Sequence, residues 1–115
     1  MRVVDLDRDM SDVIPTSLTP DSEYLFARMT EATLDATCAS VGRVVLDVAS
    51  GVGQDSVALA RSGARVVGAE PSGRMIAMAE AFGRDARAPG AAAPVWVRGW
   101  ADALPFADDS FDASF

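Results

Sequence analysis

Histidine and lysine are both absent from the 115 residues, and cysteine occurs once. Without histidine there is no serine-histidine triad and no imidazole zinc site; without lysine there is no Schiff base and no Walker-type phosphate loop. All ten basic residues are therefore arginine, against 17 acidic ones, for a formal charge of -7. A surface that gathers phosphates needs an excess of cations, so no nucleic-acid partner is expected. No apolar run approaches the ~20 residues that cross a bilayer, and the acidic stretch from Met1 to Asp12 is unlike a secretory or transit leader. The expectation is a cytoplasmic chain without membrane contact. Cys38 has no partner for an internal disulfide. In an Ala/Thr-rich helical stretch with no cation nearby in sequence, it is expected as a small buried residue and not as a nucleophile.

What is present is apolar enough, at 50%, for one modest core and too short for two. Residues 1–18 carry Asp5, Asp7, Asp9 and Asp12 against Arg2 and Arg8 with no sustained period, which predicts a loose arm. Residues 19–115 are expected to form the domain. Thr19 offers a cap, Pro20 suits the first helical position, and Asp21 and Glu23 sit where the helix dipole favours negative charge. The helix is predicted to run to Ser40, with Leu25, Met29, Ala32 and Ala36 as its apolar face.

From Val44 to Val48 apolar residues occupy both parities, as in a strand buried on both faces. Ala49 to Gly53 is a tight turn, and Gln54 to Arg61 a helix closed by Ser62 and Gly63. A second buried strand is predicted over Ala64 to Glu70. Ser72 then caps a helix whose Met75, Met78, Ala79 and Phe82 fall on one face. Gly83 to Pro94 is predicted as a connection, Val95 to Val97 as a third strand, Trp100 to Ser110 as a loop, and Phe111 to Phe115 as the opening of a fourth strand. The alternation is that of an α/β fold with parallel strands.

A strand, a glycine turn, a helix, a second strand and then an acid is an arrangement that binds an adenosine-containing cofactor. Gly51 and Gly53 allow a tight turn and close backbone approach. Glu70 follows Gly51 at close to the ~20-residue spacing of an acid that accepts from ribose hydroxyls. Glycines that serve only packing, followed by a solvated acid, give the same pattern, so this signal alone is weak.

Three segments in order make it specific: VLDVASGVGQDS at 45–56, VVGAEPSGRMIAMA at 66–79 and ADALPFADDSFDA at 101–113. With them the chain resembles the class I methyltransferases that use S-adenosylmethionine (SAM), especially the small-molecule group similar to the ubiquinone and menaquinone biosynthesis enzymes. The resemblance implies a Rossmann-like methyltransferase fold, here with an N-terminal helix and three to four parallel strands, SAM as cofactor and a small-molecule methyl acceptor. It places Asp47 beside the methionine moiety, wraps the backbone of Ala49, Ser50, Gly51 and Gly53 around that moiety, and gives Glu70 the ribose and Met75 a flank of the adenine.

Two positions depart from the family pattern. Ala49 stands where the first glycine of the turn is usual. Trp100 stands where an Asp or Asn commonly meets the adenine amino group, which leaves that contact to Asp102, to the backbone at Ala101, or to stacking on Trp100. Asp108 and Asp109 are expected as solvated turn residues, and no metal site is expected. In-line methyl displacement needs alignment more than a nucleophilic side chain, and no catalytic residue is nominated.

The family sheet has seven strands, so the chain is expected to be truncated at the start of the fourth, a fragment of marginal stability whose exposed sheet edge is open to pairing with a partner. Two other readings stay in view. One is a dinucleotide-binding oxidoreductase using NAD(P), although Gly51-Val52-Gly53-Gln54-Asp55-Ser56 lacks that fingerprint's third glycine. The other is a non-catalytic SAM-binding remnant that serves as an interaction module.

Overall fold

The computed structural model describes residues 7–8, 19–86 and 90–115. Helix α1 spans Pro20–Thr37, and Thr19 caps it by accepting from the Ser22 N–H at 3.2 Å. It ends three residues before the predicted Ser40 because Cys38 adopts a left-handed conformation, φ 51°, and its N–H bonds back to Asp35 and Leu34. At that cap the side chain leaves the helix face, so the thiol is exposed and not buried as expected.

The inward face of α1 also differs from expectation. Leu25 and Met29 are 57% and 54% exposed, whereas Thr37 is buried and Leu34 packs on the core cluster of Val45, Leu59, Ala60, Ala64 and Val66. A threonine can face a core because its hydroxyl bonds within its own helix, here Thr37 Oγ1 to the Thr33 carbonyl at 2.8 Å. Only its methyl and methine then meet the core.

Strand β1 spans Val44–Val48, helix α2 Gln54–Arg61, strand β2 Arg65–Glu70, helix α3 Gly73–Ala86, strand β3 Val95–Arg98 and strand β4 Ala113–Ser114. The sheet order is β3-β2-β1-β4, with every pair parallel. Three strands run outward in sequence order, and the chain then crosses back to place β4 on the other side of β1. That reversal leaves a crevice beyond the carboxyl end of β1.

Strand β4 is short and its entry is pinned by one side chain. The Val44 N–H donates to Asp112 Oδ2 at 2.8 Å, and the Asp112 N–H donates to the Val44 carbonyl at 2.8 Å. Phe106 and Phe111 meet edge to face, centroids 5.0 Å apart, and close the preceding loop. The loose arm expected over residues 1–18 lies outside the described residues except at Asp7 and Arg8. Asp7 is tied down: its Oδ1 accepts from the Arg74 N–H at 3.1 Å and the Ser72 hydroxyl at 3.2 Å. Chiefly the Arg74 N–H holds its carboxyl below the usual range.

Helix α3 continues through Gly83 to Ala86, where a connection was predicted, and Trp96 packs against that glycine. A Cβ on Gly83 would stand 2.8 Å from Trp96 Cη2, and one on Gly68 would stand 2.6 Å from Trp96 Cδ1. The indole therefore occupies a slot that exists because side chains are missing. Gly68→Ala is expected to cost about 1–3 kcal/mol, since a rigid ring must leave its rotamer to admit the methyl group. Chemical denaturation reads this, and an unchanged unfolding midpoint would contradict the packing.

Candidate functional site

The turn leaving β1 is held from below by backbone bonds. Ser50 N–H donates to the Ala69 carbonyl at 3.2 Å, and Gly53 N–H returns to the Ser50 carbonyl at 3.0 Å. Gly51 and Gly53 have φ of 58° and 81°, and Ala49 shares the left-handed region at 56°. A Cβ on Gly51 would meet nothing within 4 Å, so the outer side of the turn is open. Left-handed backbone costs a residue with a Cβ about 1–2 kcal/mol, against about 0.4–1 kcal/mol of chain entropy saved relative to glycine. Ala49→Gly is therefore expected to stabilise the fold by up to about 1.6 kcal/mol, readable as a raised unfolding midpoint; a lowered one would show that the turn is unstrained.

Glu70 ends β2 directly beside this turn. Its Oε1 accepts from the Gly51 N–H at 3.1 Å and its Oε2 from the Ser72 N–H at 2.7 Å. The side chain is almost wholly buried, 7% exposed, yet doubly bonded. Ser72 in turn caps α3, its Oγ accepting from the Met75 N–H at 3.2 Å, as the sequence predicts. One carboxylate thus joins the glycine turn of the first β-α unit to the helix start of the second.

Asp47 lies in β1 on the same side of the sheet as α2, buried at 4% exposure. Its Oδ2 accepts from the Ser56 hydroxyl at 2.7 Å. Burial pushes its carboxyl up to about 6, with the Ser56 bond opposing the shift and nearby Asp55 adding to it. A carboxyl raised this way at the end of a central strand, under a glycine turn, is a frequent mark of a functional site.

Trp100, Ala101 and Asp102 follow β3 at the same end of the sheet. Arg98 is in register with Glu70, and the Gly99 N–H donates to the Glu70 carbonyl at 3.3 Å. Trp100 is 54% exposed, and its carbonyl accepts from the Ala103 N–H at 3.0 Å in a tight turn. Asp102 is exposed beside it. Asp47, Ala49, Ser50, Gly51, Gly53, Glu70, Trp100, Ala101 and Asp102 therefore lie at the carboxyl ends of three adjacent strands or in the segments that leave them, and Met75 lies in the first turn of α3. A groove of about 640 Å³ lined by Gly83, Arg84, Pro94 and Trp96 sits elsewhere, at the amino end of β3. Glu70 does not line it. Among the described residues no group of three or more His, Cys, Asp or Glu side chains is placed to hold a metal ion, and no helix is long and apolar enough to cross a membrane.

Residues 46–115, more than half of the chain, match the family model described as a methyltransferase domain. The chain belongs to that family. Over 82 residues it is 45% identical to a demethylmenaquinone methyltransferase of Beutenbergia cavernae, a match covering 71% of this chain and 31% of that protein. This methyltransferase-family chain thus spans about a third of the length of the curated relatives it matches. Among solved structures, the cyclase SpnF superposes with a TM-score of 0.71 at 26% identity, over 81% of this chain and 34% of its own. The magnesium protoporphyrin IX methyltransferase of Synechocystis PCC 6803 with bound SAM superposes at 0.59 and 21% identity, over 76% of this chain and 45% of its own, which shows a shared fold.

Three contributors were not singled out as site residues from the sequence. Ser56 lies within the first quoted segment, but its bond to Asp47 spans the turn and only the fold brings the two together. Ser72 was read as a helix cap, which left its N–H unassigned. Asp7 carries no local signal, because its partners are about 65 residues away and only tertiary structure joins them.

Proposed function

We propose that this chain binds S-adenosyl-L-methionine at the carboxyl ends of β1 and β2, and supplies the cofactor-holding part of an enzyme that methylates a small molecule in the cytoplasm. The observation that carries the reading is the Glu70 carboxylate beside the Gly51 N–H. A carboxylate has about four acceptor sites. Two are engaged by Gly51 and Ser72, and the remaining capacity suits the paired hydroxyls of a ribose. The open side of the Ala49–Gly53 turn accommodates the methionine moiety. Asp47 supplies negative charge for its ammonium, and Trp100, Ala101 and Asp102 stand beside the adenine.

When bound, the cofactor supplies a methyl group activated by a sulfonium. The protein's own part is to orient it and to keep its charged groups matched. The arrangement has no phosphate to neutralise, consistent with a turn that carries neither lysine nor arginine. The acceptor is a small molecule, and the outer edge of the sheet is a surface at which a protein partner could add a strand.

Titration calorimetry with SAM, its demethylated product S-adenosylhomocysteine, and NAD tests this. Micromolar binding of the first two with none for NAD is expected; the reverse ranking would favour a dinucleotide oxidoreductase. A second reading is favoured by the likeness to the cyclase SpnF, 26% identical: a SAM-binding domain that transfers no methyl group. Radiolabelled SAM added with the chain to cell extract separates the two, because only an enzyme yields labelled product above that of a Glu70→Ala chain.

A further inference from the structure

We infer that Trp96 is a positioning residue for the glycine turn: its indole N–H donates to the hydroxyl of Ser50 and ties the turn to β3 across β2. Two buried polar atoms carry the inference. Trp96 Nε1 and Ser50 Oγ are each buried without a hydrogen-bond partner. They lie 2.9 Å and 2.8 Å from a single point, the place where a Cβ on Gly68 would stand. Indole nitrogen is a donor only and a hydroxyl accepts through two lone pairs, so the two are complementary. A rotation of the serine hydroxyl side chain about χ1 is the movement available to join them. Leaving both unpaired in a buried place is costly.

The sheet register shows why these atoms meet. Asp47, Gly68 and Trp96 are direct neighbours across β1, β2 and β3. Registered neighbours share a face of the sheet. With no side chain at Gly68, the indole lies over β2 and reaches toward β1. Its far side touches the first residue before α2, since a Cβ on Gly53 would stand 3.0 Å from Trp96 Cζ2. The ring therefore contacts the end of the turn while its N–H faces the middle. Ser50 already anchors the turn through its backbone, by its N–H to Ala69 and its carbonyl from Gly53. The side-chain bond is a third tie, and it comes from the opposite strand.

The effect on cofactor affinity rests on the function proposed above; the bond itself does not. With two tryptophans in the chain, the Trp96 indole resonance is identified by its loss in Trp96→Phe. In the ligand-free protein, Ser50→Ala is expected to move that resonance upfield and to speed its exchange with solvent several-fold, while Ser50→Thr restores both. In SAM titrations Trp96→Phe and Ser50→Ala should each weaken binding about fivefold, and the double variant no more than either, as for two ends of one bond. An indole resonance and exchange rate indifferent to Ser50→Ala would overturn the proposal, as would penalties that add in the double variant. A chain that binds no SAM at all would refute the cofactor reading, and the exchange comparison in ligand-free protein would still decide whether the bond exists.

Discussion

Glu70→Ala is expected to weaken SAM binding by about 100-fold or more, the largest effect of any single substitution at this site. The magnitude follows from counting bonds. Hydrogen bonds to a charged acceptor contribute about 1.5–3 kcal/mol each, and a ribose offers two hydroxyls. Their loss amounts to at least about 3 kcal/mol, and tenfold in affinity is about 1.4 kcal/mol.

The same substitution strands two backbone donors. The Gly51 and Ser72 N–H groups both end on this carboxylate, and an orphaned buried donor costs about 1–3 kcal/mol. The ligand-free protein should therefore also unfold at a lower denaturant concentration. Glu70→Gln separates the two effects. It keeps the length and one acceptor but turns an amide toward an N–H, so its stability should lie between wild type and alanine, with affinity still reduced at least tenfold. Titration calorimetry and denaturation on the three chains provide the measurement. Affinity within threefold of wild type in Glu70→Ala would remove Glu70 from the site.

How much of this arrangement was legible beforehand depends on whether the signal was local. Strand β1 and helix α2 begin and end where the sequence predicts, because their limits are written by adjacent residues: a run of β-branched side chains, then glycines that take left-handed backbone without strain. The position of Glu70 at the end of β2, beside the turn, was legible for a similar reason, since the spacing of one β-α-β unit is set by element lengths. The face of α1 was not legible. Choosing Leu25, Met29, Ala32 and Ala36 as the inward face follows side-chain polarity, but a threonine such as Thr37 that bonds its own helix presents only carbon outward and can face the core instead. Cys38 was misplaced by the same step, because a helix drawn to Ser40 keeps it on a face, whereas a left-handed cap at Cys38 turns it into solvent.

Gly83 shows a different limit. A glycine late in a helical stretch reads as a terminator, and here it is instead the gap into which the Trp96 ring fits. The need for that gap arises from β3, a separate element, and is invisible until the two are packed. The bond from Ser56 to Asp47 and the anchoring of Asp7 on Ser72 and Arg74 have the same character. Pairings across elements depend on how the helices settle on the sheet, which no window of neighbouring residues contains.

On the proposed reading, SAM affinity is expected to rise with pH through Asp47. Its carboxyl is raised by burial from 3.8 to about 6, so the fold favours the protonated form. Its contribution to the stability of the ligand-free protein is fully present below pH 3.8 and is lost as pH rises through about 6. Ligand binding runs the other way. A methionine ammonium is positively charged throughout this range and favours the ionised carboxylate, so SAM should bind more tightly as pH rises. If only the ionised form binds, affinity increases about tenfold between pH 5 and pH 7, with release of a proton on binding near pH 6. The usual source of a transition in this window is histidine, and the chain has none. Asp47→Asn should flatten the profile, leave affinity at pH 7 at least tenfold below wild type, and keep or raise the unfolding midpoint at neutral pH, because no ionised carboxylate is then buried. Calorimetry in buffers of different ionisation enthalpy reads the proton directly. A wild-type affinity that is flat from pH 5 to pH 7, with no proton released, would mean that Asp47 does not face the ammonium.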